Sequence, residues 1–189
     1  MVRSILLAAA LVPALFVATV GQSSPPTPKQ PMDTIMVFGD GFMFSMKEPA
    51  GWQCVCDERA SKYEVNAVVF PGAAASRAHH VMIRIRVNEK SDENTTLDLQ
   101  ADMQQYRKKY PKVEFIALNV AHPKYRTYPK LFAFPNEFYE YVAYVNPGPH
   151  TPFVLAVSMS KEKTPATSEE LAAYKKVVQT LNVFTEPAQ

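Results

Sequence analysis

The sequence predicts an α+β domain, a mostly antiparallel sheet flanked by two or more amphipathic helices. Three observations carry this. A series of short segments alternates apolar with polar residues at period two, as half-buried strands do. The connections between them are short and punctuated by proline, which leaves little room for parallel crossovers. Two other segments switch to helical period and need a surface to cover.

Taken in order, residues 35–38 form a short apolar run, and Gly39-Asp40-Gly41 signals a turn. Phe42, Phe44 and Met46 then alternate with their neighbours, so the pair reads as a hairpin. Pro49-Ala50-Gly51 closes it, and Trp52 opens a strand through Cys56 that is expected to bury its indole at one end of the core. Further strands are predicted over 64–70, 81–87, 114–121, 126–134, 137–146 and 153–160. The segment 138–145 carries large apolar bodies on both faces, so it belongs at the centre of the sheet with cover on each side. Thr95-Thr96-Leu97-Asp98 has the spacing of a capping box. Leu99, Met103, Tyr106 and Tyr110 follow as one helical stripe, which Pro111 ends. A second helix begins at Thr167-Ser168-Glu169-Glu170, with Leu171, Tyr174, Val178 and Leu181 as its stripe.

Ahead of the domain, residues 1–21 combine Arg3, an apolar run over 5–20 and a small-residue exit at Gly21, the pattern of a secretory signal peptide cleaved near Gly21. The run is short for a membrane span and is interrupted by Pro13. Residues 22–34 are rich in proline and read as an extended linker, leaving 35–185 as a single domain. The expected location is periplasmic or secreted, with no membrane span after cleavage. The 189-residue chain carries 20 basic and 18 acidic residues. That near-balance does not suggest nucleic acid, which is bound through concentrated basic surface.

The candidate chemical groups are few. Cys54 and Cys56 lie two apart on a strand, at the outer edge of disulfide reach, so a bond between them would be strained. Separate reduced thiols and intermolecular or metal bonding are the other readings. The histidines His79, His80, His122 and His150 lack the paired spacing of a zinc site. Ser158-Met159-Ser160-Lys161 has a Ser-x-x-Lys spacing but falls at a strand end rather than a helix start. No catalytic, cofactor or metal residues are therefore assigned and no cofactor is expected. The aromatics of residues 125–144 are the one concentration that suggests an interface. Tyr125, Tyr128, Phe132, Phe134 and Tyr139 are the candidates there, because tyrosine joins an apolar body to a wet end.

The stretch Gly41-Phe42-Met43-Phe44-Ser45-Met46-Lys47-Glu48-Pro49-Ala50-Gly51-Trp52, followed by strands and a closing helix into Leu181-Asn182-Val183-Phe184, resembles the PsbP-like superfamily, which includes periplasmic DcrB-like proteins. The likeness covers about residues 35–184. It implies an antiparallel sheet with helices on both faces and a binding or assembly role rather than catalysis. The expected function is thus that of an exported, soluble, non-catalytic protein that contacts an unknown protein partner. A small-ligand binder with a pocket between sheet and helix, and an uncharacterised hydrolase, are the alternatives.

Overall fold

The computed structural model describes residues 34–72 and 81–184. The expected signal peptide, the linker up to residue 33, and His79 and His80 lie outside the described residues.

The first strands, β1 (Ile35–Gly39) and β2 (Phe42–Met46), form the expected hairpin. Its two-residue loop is Asp40-Gly41, and Gly41 at φ +71° takes the left-handed conformation that a side chain would disfavour. Gly51 at φ +76° does the same in the next turn, where the Trp52 amide donates to the Pro49 carbonyl at 3.0 Å. After it come β3 (Trp52–Val55), a short helix α1 (Glu58–Ser61) capped by Asp57, β4 (Ala67–Pro71) and β5 (Ile83–Glu89). The chain continues with α2 (Thr96–Lys109), β6 (Glu114–Ala117), β7 (Arg126–Phe134), β8 (Phe138–Asn146) and β9 (Phe153–Glu162). It closes with α3 (Ser168–Thr180) and β10 (Asn182–Phe184).

The fold is α+β. Seven strands form one sheet in the order β3-β4-β5-β9-β8-β7-β6, and the hairpin leaves to form a second sheet, β1-β2-β10. Every ladder among the described strands is antiparallel. The sequence predicts neither α1 nor β10 as separate elements. Four residues are too few to show a period, and the three residues of β10 become a strand only because β2 is there to pair with them.

Each face of the large sheet has its own cover. On one side Ile83, Ile85, Tyr141, Val145, Leu155 and Val157 pack with α3 (Tyr174, Val177, Val178) and with Val37, Phe44 and Met46 of the small sheet. Trp52 joins this core, 6% exposed. The α3 start is a full capping box: Thr167 Oγ1 accepts from the Glu170 amide, and Glu170 Oε2 accepts from the Thr167 amide. Glu170 also pairs with Lys161 at 2.8 Å, joining α3 to β9.

The opposite face packs Phe132, Val142, Tyr144 and Val154 beneath α2, whose stripe Leu99, Met103, Tyr106 and Tyr110 lies against them as expected. The predicted capping box at Thr95 does not form. Thr95 adopts φ +60° and makes no side-chain cap bond. Asp92 takes over, accepting from the Leu97 amide at 3.2 Å and from the Thr96 hydroxyl at 2.9 Å. No helix among the described residues is long and apolar enough to cross a membrane.

Candidate functional site

The aromatic candidates do not share a surface. Tyr128, Phe132 and Phe134 face α2, where Phe132 is fully buried and Phe134 meets Tyr110 at 5.7 Å between ring centroids. Tyr125 and Tyr139 belong to the other side, against the α3 core. The surplus of aromatics in 125–144 is used because β7 and β8 sit inside the sheet and need bulk on both faces. Tyr125 also closes a sheet edge. Its hydroxyl accepts from the Val183 amide at 3.0 Å, which occupies a backbone group that β10 would otherwise present to another strand.

Cys54 and Cys56 are free thiols. Burial, then the neighbouring Cys56 and Glu48, push the Cys54 thiol up to about 12, and Cys56 is exposed. Ser158 and Lys161 point to opposite faces of β9, the lysine toward Glu170 of α3, so they form no serine–lysine pair. Among the described residues no three His, Cys, Asp or Glu side chains are grouped to hold a metal ion.

A polar trough lies between α2 and the sheet, lined by residues that the sequence reading did not single out as a site. On the α2 side, successive same-face residues of β9 are Ala156, Ser158 and Ser160, all small, whereas Leu155, Val157 and Met159 fill the opposite face. Register places Arg84 beside Ser158 and Arg86 beside Ala156 on one flank. On the other flank Glu140 lies beside Ser160, Val142 beside Ser158 and Tyr144 beside Ala156. Small floor residues between long flanking side chains leave a gap, and α2 roofs only part of it. The result is a cavity of about 250 Å³, lined by Arg84, Arg86, Asp102, Tyr106, Glu140 and Tyr144 among others. It meets a second cavity of about 420 Å³ at Tyr106 and Glu140, which continues along α2 past Gln105, Lys109 and Tyr110.

The acids of the trough are held by phenols. The Tyr106 hydroxyl donates to Glu140 Oε2, and the Tyr144 hydroxyl donates to Asp102 Oδ2. Burial raises the Glu140 carboxyl above its usual range, while Tyr106 and Arg84 pull the other way. Asp102 is likewise raised by burial, opposed by Tyr144 and Arg86. Burial and the adjoining carboxylates push both tyrosines upward, so they stay neutral donors. The arrangement offers fixed acceptors on one wall and guanidinium donors on the other.

The residues of this trough carried two legible signals. Glu140 is a charge in mid-strand among Phe138, Val142 and Tyr144, and small residues alternate with large ones along β9. Asp102 gives no sequence signal, because an acid on an exposed helix has the same appearance.

A separate concavity, about 730 Å³, lies at the hairpin end between Phe38, Phe42, Met43, Phe153 and Phe184. Phe38 is 69% exposed there.

No family model matches the chain, and no curated protein matches it either.

Proposed function

We propose that this protein, acting after export, binds a small polar molecule in the trough between α2 and the seven-stranded sheet and does not transform it. The observation that carries the reading is the contrast between the two sheet faces. The α3 side is closed with apolar side chains, whereas the α2 side leaves a small-floored gap with two arginines facing two phenol-held acids. Half-burying Arg84, Asp102 and Glu140 is unfavourable for stability unless something satisfies them, and a polar ligand does so. A concave site with a few convergent polar groups on a rigid sheet is the usual form of a small-molecule site. The resemblance to the PsbP-like superfamily, with its binding and assembly roles, supports binding over catalysis.

The test is a thermal-shift screen of polar metabolites against the wild type and Ser158→Phe, which fills the floor. Binding raises the melting temperature by mass action, so a true ligand stabilises the wild type and not the filled variant. Equal shifts in both proteins would move the site elsewhere, and chemical conversion of the bound compound would make the protein an enzyme.

A second reading, contact with a protein partner, is favoured by the hairpin-end groove rather than by residues 125–144. Phe38 and Phe184 remain exposed on its rim, and exposed large aromatics clustered in a concavity suit a partner's apolar side chain. Recovery of a partner from the exported fraction by the wild type but not by Phe38→Ser would support it. Equal recovery would remove this groove from the interface.

A further inference from the structure

The walls of the trough carry opposite signs. Arg84 and Arg86 are two residues apart on β5 and face the same side. Neither belongs to an ion pair among the described residues. Arg84 Nη1 reaches only the Ser160 hydroxyl, at a long 3.5 Å, and Arg86 Nε donates to the Glu64 carbonyl at 3.0 Å. Among the described residues, most of both guanidinium forks has no hydrogen-bond partner. Across the floor stand Asp102 and Glu140, which feel Arg86 and Arg84 electrostatically yet do not touch them.

One helical turn before Asp102, Asp98 adds its negative charge behind that wall without lining the cavity. Tyr106 and Tyr144 each spend their proton on an acid, which fixes the carboxylates in place rather than leaving them to swing across to the arginines.

Such a site discriminates by charge distribution. A simple anion gains from the arginines but is repelled by the acids, and a simple cation meets the reverse. A ligand with both charges a few ångströms apart gains at each wall, and a carboxylate suits a guanidinium fork in particular. The cavity between the walls, about 250 Å³, is smaller than pockets that take drug-sized molecules. We propose that the trough takes a small zwitterion of the amino-acid class, its carboxylate on Arg84 and Arg86 and its ammonium toward Asp102 and Glu140. The adjoining cavity along α2, lined by Gln105, Tyr106, Tyr110 and Phe138, would receive the side chain. The proposal rests on the small-ligand reading above.

Calorimetric titration of the purified protein with each of the twenty L-amino acids tests it. The tightest amino acid is then compared with two analogues of the same side chain, the carboxylic acid lacking the amine and the amine lacking the carboxylate. The expected result is binding of the amino acid, with each analogue weaker by about tenfold or more, since each loses one charged contact. Arg86→Gln, at an exposed position, and Asp102→Asn should each weaken the amino acid by a similar factor while retaining the wild-type circular dichroism spectrum. Binding of no amino acid, or equal binding of either analogue, overturns the zwitterion class. In that case a different metabolite that stabilises the wild type but not Ser158→Phe would leave the trough reading standing. Amino-acid binding that survives both Ser158→Phe and Arg86→Gln overturns the two readings together.

Discussion

His122 Nε2 lies 2.7 Å from the carbonyl oxygen of Leu181, joining the segment before β7 to the end of α3. The other ring nitrogen, Nδ1, accepts from the backbone amides of Lys124 and Tyr125, both at 2.9 Å. These partners fix one neutral tautomer, with the proton on Nε2 donated to Leu181. Tyr125 stacks on the imidazole at 4.5 Å and reaches on to Val183, so one histidine organises the docking of β10.

Protonating His122 puts a proton on Nδ1, where two amides already donate. Burial, with Lys124 adding, holds its pKa below the ordinary 6.5, against the pull of the Leu181 carbonyl. A base whose folded pKa is depressed contributes stability that is fully present above the unfolded value and is lost as pH falls through the folded one. Urea unfolding of the wild type should therefore weaken from pH 7.5 to pH 5 more steeply than that of His122→Gln. Parallel pH profiles would show that the imidazole does not titrate against this lock.

The trough acids carry the opposite sign. Glu140 and Asp102 are raised above their ordinary values of 4.5 and 3.8, chiefly by burial. A raised folded pKa contributes stability that is complete below the unfolded value and is lost as pH rises through the folded one. Glu140→Gln, which stays neutral, should gain on the wild type as pH rises from 4 to 7 when both are measured without ligand. A variant that loses ground over that interval would mean that the folded protein favours the charged carboxylate.

Trp52 follows the Gly51 turn into the α3-side core, at 6% exposure. Trp52→Ala leaves a large cavity there and should cost about 3–5 kcal/mol in urea unfolding. A loss below about 1 kcal/mol, the scale of ordinary surface substitutions, would contradict the packing described.

The two thiols should separate by reactivity. Cys54 is packed against the main core with its pKa pushed up to about 12, and Cys56 is exposed. Thiolate is the reactive form, so iodoacetamide at pH 8 should label Cys56 first and Cys54 only slowly. Peptide mass mapping reads the order. Faster labelling of Cys54 would place it in a different environment.

Periodicity made most of the fold legible, because strands and helices that bury one face write their period into the chain. The stripes of α2 and α3 and the two-sided bulk of β8 are of this kind. Partition into two sheets was not legible, since the departure of β1 and β2 depends on β10, three residues long and distant in sequence. Tyr125 and Phe132 show the limit for sites. Both read as interface aromatics, yet Phe132 fills the space under α2 and Tyr125 serves the β10 edge. The assembly of the trough was not legible, for the converse reason. Its arginines, acids and small residues come from α2, β5, β8 and β9, and only the register sets Arg84, Ser158 and Glu140 side by side.

The account turns on whether the gap over Ala156, Ser158 and Ser160 holds a molecule. Native mass spectrometry of the protein, purified gently from an exporting host, measures this most directly when the wild type is run beside Ser158→Phe. The account predicts a small retained mass on the wild type that denaturation releases and that the filled variant lacks. Identical bare masses for both proteins, together with no stabilisation of the wild type by any polar metabolite, would contradict it.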